Sequence, residues 1–254
     1  AYLKTVRQML RLRWLYILLY GSSPVVDPSL ELQCKQAPFI KSKNVIALSI
    51  RNSCYGYRNL GELYPDYSSV GSFRSSIDQM VKEHQLAAPK ELYSSVRPKF
   101  IKSPDHISYI EFRFIDIDPL SKIGIDEKAL YFLHSLALYG LLTEEPDCFD
   151  ATAQAIANTY HENVALYGLN TSSLQFDKNG KRIRTWHEAK MHIQKMIDLF
   201  QKLKIDREEY QTSLTHAKQL IENPNRRGIY VVLEEKKKMG YIPFHLDRAR
   251  HYLT

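Results

Sequence analysis

The segment 107–116 constrains the fold of this chain more than any other, because its apolar and polar side chains alternate as they do in a β-strand. One face carries Ser108, Ile110, Phe112 and Phe114, and the other carries Tyr109, Glu111, Arg113 and Ile115. The first face is apolar enough to pack against helices. On the second face Glu111 and Arg113 are neighbours, about 7 Å apart at Cα from the rise per residue. They form either a solvent-exposed ion pair on a half-buried sheet, or a carboxylate for a cation beside a guanidinium for phosphate.

A second short strand is predicted at residues 44–51. Its two faces are Ile46, Leu48 and Ile50 on one side, and Val45, Ala47, Ser49 and Arg51 on the other. Small residues beside a terminal arginine leave room for a ligand over the sheet. Arg51 is therefore a candidate ligand-binding residue.

Helical patterns surround these strands and dominate the second half of the chain. The residues that mark predicted helix ends are Gly21, Ser72, Asp126, Thr185, Asp206 and Asn223. The pattern predicts an α+β fold class. Residues 1–145 are expected to contain the strands, and residues 146–254 are expected to form an all-helical region packed on the same domain.

Composition excludes several classes of protein. The chain has 254 residues, of which 44% are hydrophobic and 25% charged, as is typical of a soluble globular domain rather than a disordered one. The formal net charge is +7, but the basic residues are scattered, and pairs such as Arg11 and Arg13 are predicted to lie on solvated helix faces. Cys34, Cys54 and Cys148 lie far apart, which favours a reducing, cytoplasmic location over a structural zinc site, and Cys54 is predicted to be a packed thiol.

Common nucleotide, metal and nucleophile motifs do not occur in the sequence. It contains no GxGxxG, P-loop, HExxH or GxSxG pattern. Its apolar runs fall short of the roughly 20 residues that a membrane-spanning helix needs, so no membrane partner is expected. A basic nucleic-acid-binding module is an alternative, although no RRM, KH or helix-turn-helix signature supports it.

Four motifs follow one another in the first half of the chain. They are Gly21-Ser-Ser-Pro24 after the first helix, Arg51-Asn-Ser-Cys-Tyr-Gly-Tyr57, Leu92-Tyr93-Ser-Ser-Val-Arg97-Pro98-Lys99, and Tyr109-Ile-Glu111-Phe-Arg113 with Asp116-Ile-Asp118-Pro119 and Gly124-Ile-Asp126 behind it. Together they resemble the bacterial type of glutamate–cysteine ligase, or γ-glutamylcysteine synthetase. The resemblance covers residues 3–145, whereas residues 146–254 match mainly in helical character, with residues 158–170 as a fainter likeness.

The resemblance implies a fold related to glutamine synthetase, in which a curved antiparallel sheet with packed helices holds the active site on its concave face. It also implies a reaction that joins the γ-carboxyl of L-glutamate to the amine of L-cysteine. That reaction uses ATP and Mg²⁺, passes through an acyl phosphate, and is the first step of glutathione biosynthesis. A monomer that binds neither nucleic acid nor membrane is expected.

The same resemblance assigns roles to individual residues. Glu111 matches the metal-binding glutamate, and Arg113 matches an arginine that faces the phosphates of ATP. Arg51 matches an arginine between glutamate and the transferred phosphate, and Ser53 is expected to bind ATP with these two arginines. The tyrosines that match the surroundings of the cysteine substrate are Tyr57 and Tyr93.

The family's other metal carboxylates precede the first motif found here. The sequence is therefore expected to be the C-terminal portion of the enzyme, without the N-terminal part of the active site, and inactive alone. A related carboxylate–amine ligase with another acceptor is the nearest alternative, and a non-enzymatic nucleic-acid-binding module is the alternative from a different class.

Overall fold

The computed structural model describes residues 1–26, 46–56, 58–59, 61–101, 103, 105–145, 148–170, 174–176 and 182–253. The helices in these residues are α1 (Tyr2–Tyr20), α2 (Val70–Lys82), α3 (Glu127–Leu142), α4 (Ala151–Tyr167), α5 (Thr185–Lys202), α6 (Glu208–Glu222), α7 (Gly228–Met239) and α8 (Tyr241–Leu253). The strands form two antiparallel pairs, β1 (Val96–Lys99) with β2 (Tyr109–Phe112), and β3 (Leu174–Phe176) with β4 (Arg182–Arg184). The predicted α+β class is confirmed.

Helix α1 lies at the centre of the core, where it packs against α3 and α4. From Trp14 to Tyr20 the helix is apolar on all sides, which suits a helix enclosed by neighbours. The helix ends at Gly21 as predicted, and only glycine fits at this position. A Cβ at Gly21 would lie 2.8 Å from the Ile17 carbonyl oxygen and 2.9 Å from Leu48.

Helices α5 and α6 pack against each other and, with α3, extend the same core. Helix α3 begins after Asp126, whose side chain accepts a hydrogen bond from the Lys128 amide at 2.9 Å, so this predicted cap is confirmed. One continuous apolar cluster includes residues from Val6 to Ile229. It therefore crosses the proposed division after residue 145, and that division stays a prediction.

The strand predicted at residues 44–51 is wrong over the part that the structure describes. This segment makes two single β-bridges and then turns into a 3₁₀-helix at Ile50–Asn52. Ala47 and Leu48, which would lie on opposite faces of a strand, are both buried, at 1% and 0% exposure. The segment is therefore not a sheet surface with one open face, although Arg51 at its end is exposed. The segment lies against the end of α4, where the Leu48 amide donates to the Ala165 carbonyl at 2.9 Å.

Four further expectations are corrected. Residues 146–254 are not all helical, because the β3–β4 hairpin lies between α4 and α5. Thr185 is the first residue of α5 rather than a side-chain cap, and the cap of α2 is Ser69, which accepts from the Ser72 amide at 3.0 Å. Cys54 is in a disulfide rather than a packed thiol, while Cys148 is a free, exposed thiol.

The β1–β2 pair is a two-stranded ladder in the part of the chain that the structure describes. The larger curved sheet that the resemblance implies is not seen in those residues. Across the described ranges, every helix falls short of the combined length and apolar character that crossing a membrane requires.

Candidate active site

Three of the four motifs meet where the chain leaves β2. In the β1–β2 ladder Arg97 lies opposite Glu111, and after β2 the Arg113 amide donates to the Ser95 carbonyl at 2.8 Å. The 3₁₀ turn packs against this exit, because Arg51 Nε donates to the Arg113 carbonyl oxygen at 3.1 Å. The two arginines that were predicted on separate strands are therefore brought together by a direct contact.

The turn that carries Arg51 depends on Ser53 and Gly56. The Ser53 hydroxyl is buried, donates to the Ile50 carbonyl at 2.8 Å and accepts from the Tyr55 amide at 3.2 Å. A Cβ at Gly56 would lie 2.0 Å from the Arg51 carbonyl oxygen, so only glycine allows the chain to fold back this closely. Ser53 thus stabilises the turn, and its role in ATP binding stays a prediction.

The Arg113 side chain lies over the ring of Tyr93, with 5.1 Å between its Cζ atom and the ring centroid. This is a cation–π contact, which orients the guanidinium without neutralising it. The Tyr93 amide donates to Asn59 Oδ1 at 2.7 Å, which ties the tyrosine to the loop that follows the turn. Tyr93 therefore positions Arg113 as well as presenting its own ring.

Glu111 lies between two cations. Its Oε2 atom is 3.1 Å from Lys99 Nζ and 3.8 Å from Arg113 Nε. The side chain is 35% exposed, yet Oε2 itself is buried and has no hydrogen bond of good geometry. A dehydrated carboxylate oxygen that is only partly satisfied fits the chemistry of a hard cation such as Mg²⁺. Within the described ranges, no three His, Cys, Asp or Glu side chains cluster as a metal site.

Asp116 joins three segments behind this exit. Its buried carboxylate accepts hydrogen bonds from the Ser22 amide at 2.9 Å, the Ser23 amide at 3.2 Å and the Ser49 hydroxyl at 3.0 Å. Burial raises the pKa of Asp116, and these hydrogen bonds oppose the rise. The sequence placed Asp116 in a turn motif without a role. In the structure it holds the end of α1 against the turn.

A cavity of about 180 Å³ opens beside Arg51 and Tyr93. Its wall also includes residues of α1 and α4 that sequence reasoning missed, namely the buried Arg13 and His161 and the exposed Asn158. Arg13 was predicted on a solvated helix face, and this is wrong, because it is only 5% exposed. Its position between Leu12 and Trp14, at the start of an apolar stretch that runs to Tyr20, was the signal that could have found it.

The structure thus brings together most of the predicted residues. Those that line the cavity are Arg51, Ser53 and Tyr93. Arg113 contacts Arg51 and Tyr93, and Glu111 pairs with Arg113. Tyr57 lies outside the described residues.

Comparison with known protein sequences gives a consistent result. A family model described as glutamate–cysteine ligase matches residues 1–87 and 62–164. Glutathione biosynthesis bifunctional proteins of Desulfotalea psychrophila and Clostridium perfringens are each 30% identical to the chain, over 99% and 100% of its length. The chain spans 33% and 34% of their lengths.

Two solved structures share the fold. A glutamate–cysteine ligase of Francisella tularensis, in complex with AMP, matches with a TM-score of 0.85 and 19% identity, over 98% of this chain and 57% of its own. A bifunctional glutathione synthetase of Pasteurella multocida matches with a TM-score of 0.79 and 21% identity, over 98% of this chain and 31% of its own. At these identities the likeness concerns the fold alone.

Proposed function

The chain belongs to the glutamate–cysteine ligase family, and we propose that it supplies part of the active site of an enzyme that joins the γ-carboxyl of L-glutamate to the amine of L-cysteine. The product is γ-glutamylcysteine, the first intermediate of glutathione biosynthesis. The observation that carries the proposal is the hydrogen bond from the Arg51 guanidinium to the Arg113 main-chain carbonyl, with the Arg113 side chain over the Tyr93 ring. Arg51 and Tyr93 both line the same small cavity.

The chemistry explains why two adjacent arginines are needed. The γ-phosphoryl group of ATP passes to the glutamate γ-carboxylate, which gives ADP and an acyl phosphate. The cysteine amine then attacks the acyl carbon, loses a proton and displaces phosphate. Negative charge moves between oxyanions in both steps, so cations fixed in advance lower the barrier. Arg51 is proposed to face the transferred phosphoryl group and Arg113 the remaining phosphates, with Ser53 near the same group.

The metal completes this arrangement. Glu111 is the residue that would hold Mg²⁺, because its buried Oε2 atom has only ion-pair partners. When bound, Mg²⁺ neutralises charge on the phosphate oxygens. Lys99 and Arg113 would then pair with phosphate rather than with Glu111.

The acceptor side of the proposed site is the cavity lined by Tyr93, and Tyr57 is proposed to join it there. The β1–β2 ladder is proposed to be part of a larger curved antiparallel sheet like that of glutamine synthetase. We further propose a cytoplasmic monomer in which residues 1–145 carry the sheet side and residues 146–254 pack on it.

The test compares Arg51→Lys with Arg74→Lys in the natural full-length polypeptide. Arg74 is exposed and pairs only with Asp105, at 3.6 Å, among the described residues, so its variant is the matched control. Arg51→Lys keeps the charge but loses the planar pair of donors. We expect ATP-, glutamate- and cysteine-dependent formation of γ-glutamylcysteine, a large loss of kcat in Arg51→Lys with little change in ATP affinity, and normal turnover in Arg74→Lys.

Two results would contradict the proposal. Normal turnover in Arg51→Lys would show that Arg51 does not act on the transferred phosphoryl group. Phosphate release that depends on another amine in place of cysteine would assign the protein to a related carboxylate–amine ligase.

A further inference from the structure

Arg13 is a buried cation without a carboxylate partner among the described residues. Its Nη1 atom donates to Ser95 Oγ and its Nη2 atom to Asn158 Oδ1, and both acceptors are neutral. Its Nε atom has no hydrogen-bond partner. Burial lowers the pKa of Arg13 to about 10, so the guanidinium remains charged near neutral pH. A dehydrated charge of this kind is costly unless an anion compensates it.

His161 presents a lone pair at the same place. Asn52 Nδ2 donates to the Ser49 hydroxyl and to the Phe114 carbonyl, both at 2.8 Å, and a carbonyl can only accept. Asn52 Oδ1 therefore faces His161 Nε2, at 3.1 Å, and the ring proton lies on Nε2. His161 Nδ1 is left as a buried acceptor without a partner. Burial and the charge of Arg13 lower the pKa of His161 well below its usual value, so the ring stays neutral.

The two acidic residues in the cavity wall do not neutralise Arg13. Glu162 pairs with Arg58 at 3.4 Å, and Glu62 accepts from the Tyr64 hydroxyl. The buried side of the cavity therefore offers one uncompensated cation beside one unsatisfied acceptor.

That pair of groups complements an amino-acid zwitterion, which carries a carboxylate and an N–H donor on the same carbon. The volume of about 180 Å³ also suits a ligand of this size. It is below the roughly 300 Å³ at which pockets for larger ligands begin. We propose that this cavity binds the amino-acid acceptor, with the Arg13 guanidinium paired to its α-carboxylate and His161 Nδ1 accepting a hydrogen bond from its amino group. That the acceptor is cysteine rests on the proposed function, whereas the two binding groups are argued from the cavity itself.

The alternative is that Arg13 only links α1 to Ser95 and to Asn158 on α4. Arg13→Met separates the two roles, because methionine keeps much of the apolar volume. If Arg13 is only a structural link, Arg13→Met should have a less stable fold and an unchanged preference for cysteine over cysteamine. If Arg13 binds the carboxylate, Arg13→Met should lose the preference for cysteine over cysteamine, while the fold no longer contains an uncompensated buried charge. Arg11→Met is the control, since Arg11 lies on the same helix but packs over Phe149, 4.5 Å from the ring centroid.

The experiment is isothermal titration of the natural full-length polypeptide with L-cysteine, with cysteamine, which lacks the carboxylate, and with 3-mercaptopropionate, which lacks the amine. Each titration is done without nucleotide and again with glutamate and a non-hydrolysable ATP analogue. We expect the wild type to bind cysteine about tenfold or more tightly than either analogue, as charge-assisted hydrogen bonds imply. Arg13→Met should bind cysteine as weakly as cysteamine, and His161→Phe should bind it as weakly as 3-mercaptopropionate. Arg11→Met should match the wild type.

Several results would overturn the inference. Equal affinity of the wild type for cysteine and cysteamine would do so even if Arg13→Met did not fold, and so would an absence of cysteine binding under both conditions. Retained preference for cysteine in a folded Arg13→Met would also overturn it. A failure of the proposed function is distinct, because it would appear as absent γ-glutamylcysteine formation while the preference for cysteine over cysteamine persists.

Discussion

Replacing Arg227 by methionine is expected to destabilise the fold strongly, because this one side chain satisfies carbonyl groups from three segments. Arg227 is 1% exposed. Its Nη1 atom donates to the Leu18 carbonyl at 2.9 Å and to the Gly168 carbonyl at 3.0 Å, and its Nε atom donates to the Pro224 carbonyl at 3.0 Å. The guanidinium also lies over Trp186, 4.9 Å from the ring centroid.

The size of the loss in stability follows from the carbonyl groups that Arg227→Met would leave without a hydrogen bond. The Leu18 carbonyl lies in the last turn of α1, and the amide that would normally bond to it, that of Ser22, donates to Asp116 instead. Leu18 and Gly168 would both lose a charged donor. Each buried carbonyl without a partner costs about 1–3 kcal/mol, and the relief of a buried charge offsets part of this. The expected loss in the free energy of unfolding is about 2–5 kcal/mol.

The assay is urea unfolding followed by tryptophan fluorescence. The chain has two tryptophans, and Trp186 reports directly on the environment of Arg227. Arg226→Met is the matched control, because its side chain is exposed. A loss below about 1 kcal/mol, the range of ordinary surface substitutions, would refute the reasoning, since the carbonyls would then have found other partners.

Three further predictions concern the site and the core. Glu111→Gln should change the free energy of unfolding by only about 0–1 kcal/mol, because the ion pairs of Glu111 are partly exposed. The Mg²⁺ concentration needed for activity should rise and kcat should fall. An unchanged Mg²⁺ titration would show that Glu111 only forms ion pairs and does not bind the metal. Tyr93→Phe keeps the ring beneath Arg113 and removes the hydroxyl, so it should raise the KM for cysteine about two- to tenfold with little effect on ATP; an equal rise for ATP would contradict the assignment. Burial lowers the pKa of His192 to about 4, so the unfolded chain binds a proton below the usual value of 6.5 that the folded chain does not. As the pH falls from 6.5 to about 4, the free energy of unfolding should therefore fall by about 1.4 kcal/mol per pH unit because of His192. His192→Gln, compared with the wild type by urea unfolding at several pH values, should lack this contribution. An identical pH dependence in the variant would refute the prediction.

Features set by local chemistry could be predicted from the sequence. The end of α1 at Gly21, the cap at Asp126 and the end of α6 at Asn223 were all expected, and the structure confirms them. The Asp126 cap, the Asn223 amide bond to Gln219 and the close approach of Gly21 to the Ile17 carbonyl involve neighbours within a few residues, which a sequence displays directly. The motif residues Arg51 and Arg113 were also identified from the sequence, although the contact that joins them was not.

Features set by distant partners could not be predicted. The apolar run at residues 44–51 alternates like a strand. However, its Leu48 and Ser49 amides donate to the Ala165 carbonyl at the end of α4, more than a hundred residues later, rather than to a neighbouring strand. Ser69 replaces Ser72 as the cap of α2, because both have the same chemistry and only the backbone path decides between them. Arg13 and His161 belong to no motif, and their side-chain partners Ser95, Asn158 and Asn52 come from three different segments of the chain.

The position of α4 suggests how the two halves of the reaction are divided in the molecule. The residues proposed to act on phosphate and Mg²⁺, namely Arg51, Arg113 and Glu111, belong to the turn and the end of β2. The residues proposed to hold the acceptor, Arg13 and His161, project from α1 and α4. Two residues link these groups in the described part of the chain. Asn52 bonds to His161 and follows Arg51 directly, and Ser95 accepts from Arg13 through its hydroxyl and from the Arg113 amide through its carbonyl. Substitutions at Arg13 or His161 should therefore alter which amine is accepted while ATP use persists, whereas those at Arg51 should abolish turnover with every acceptor.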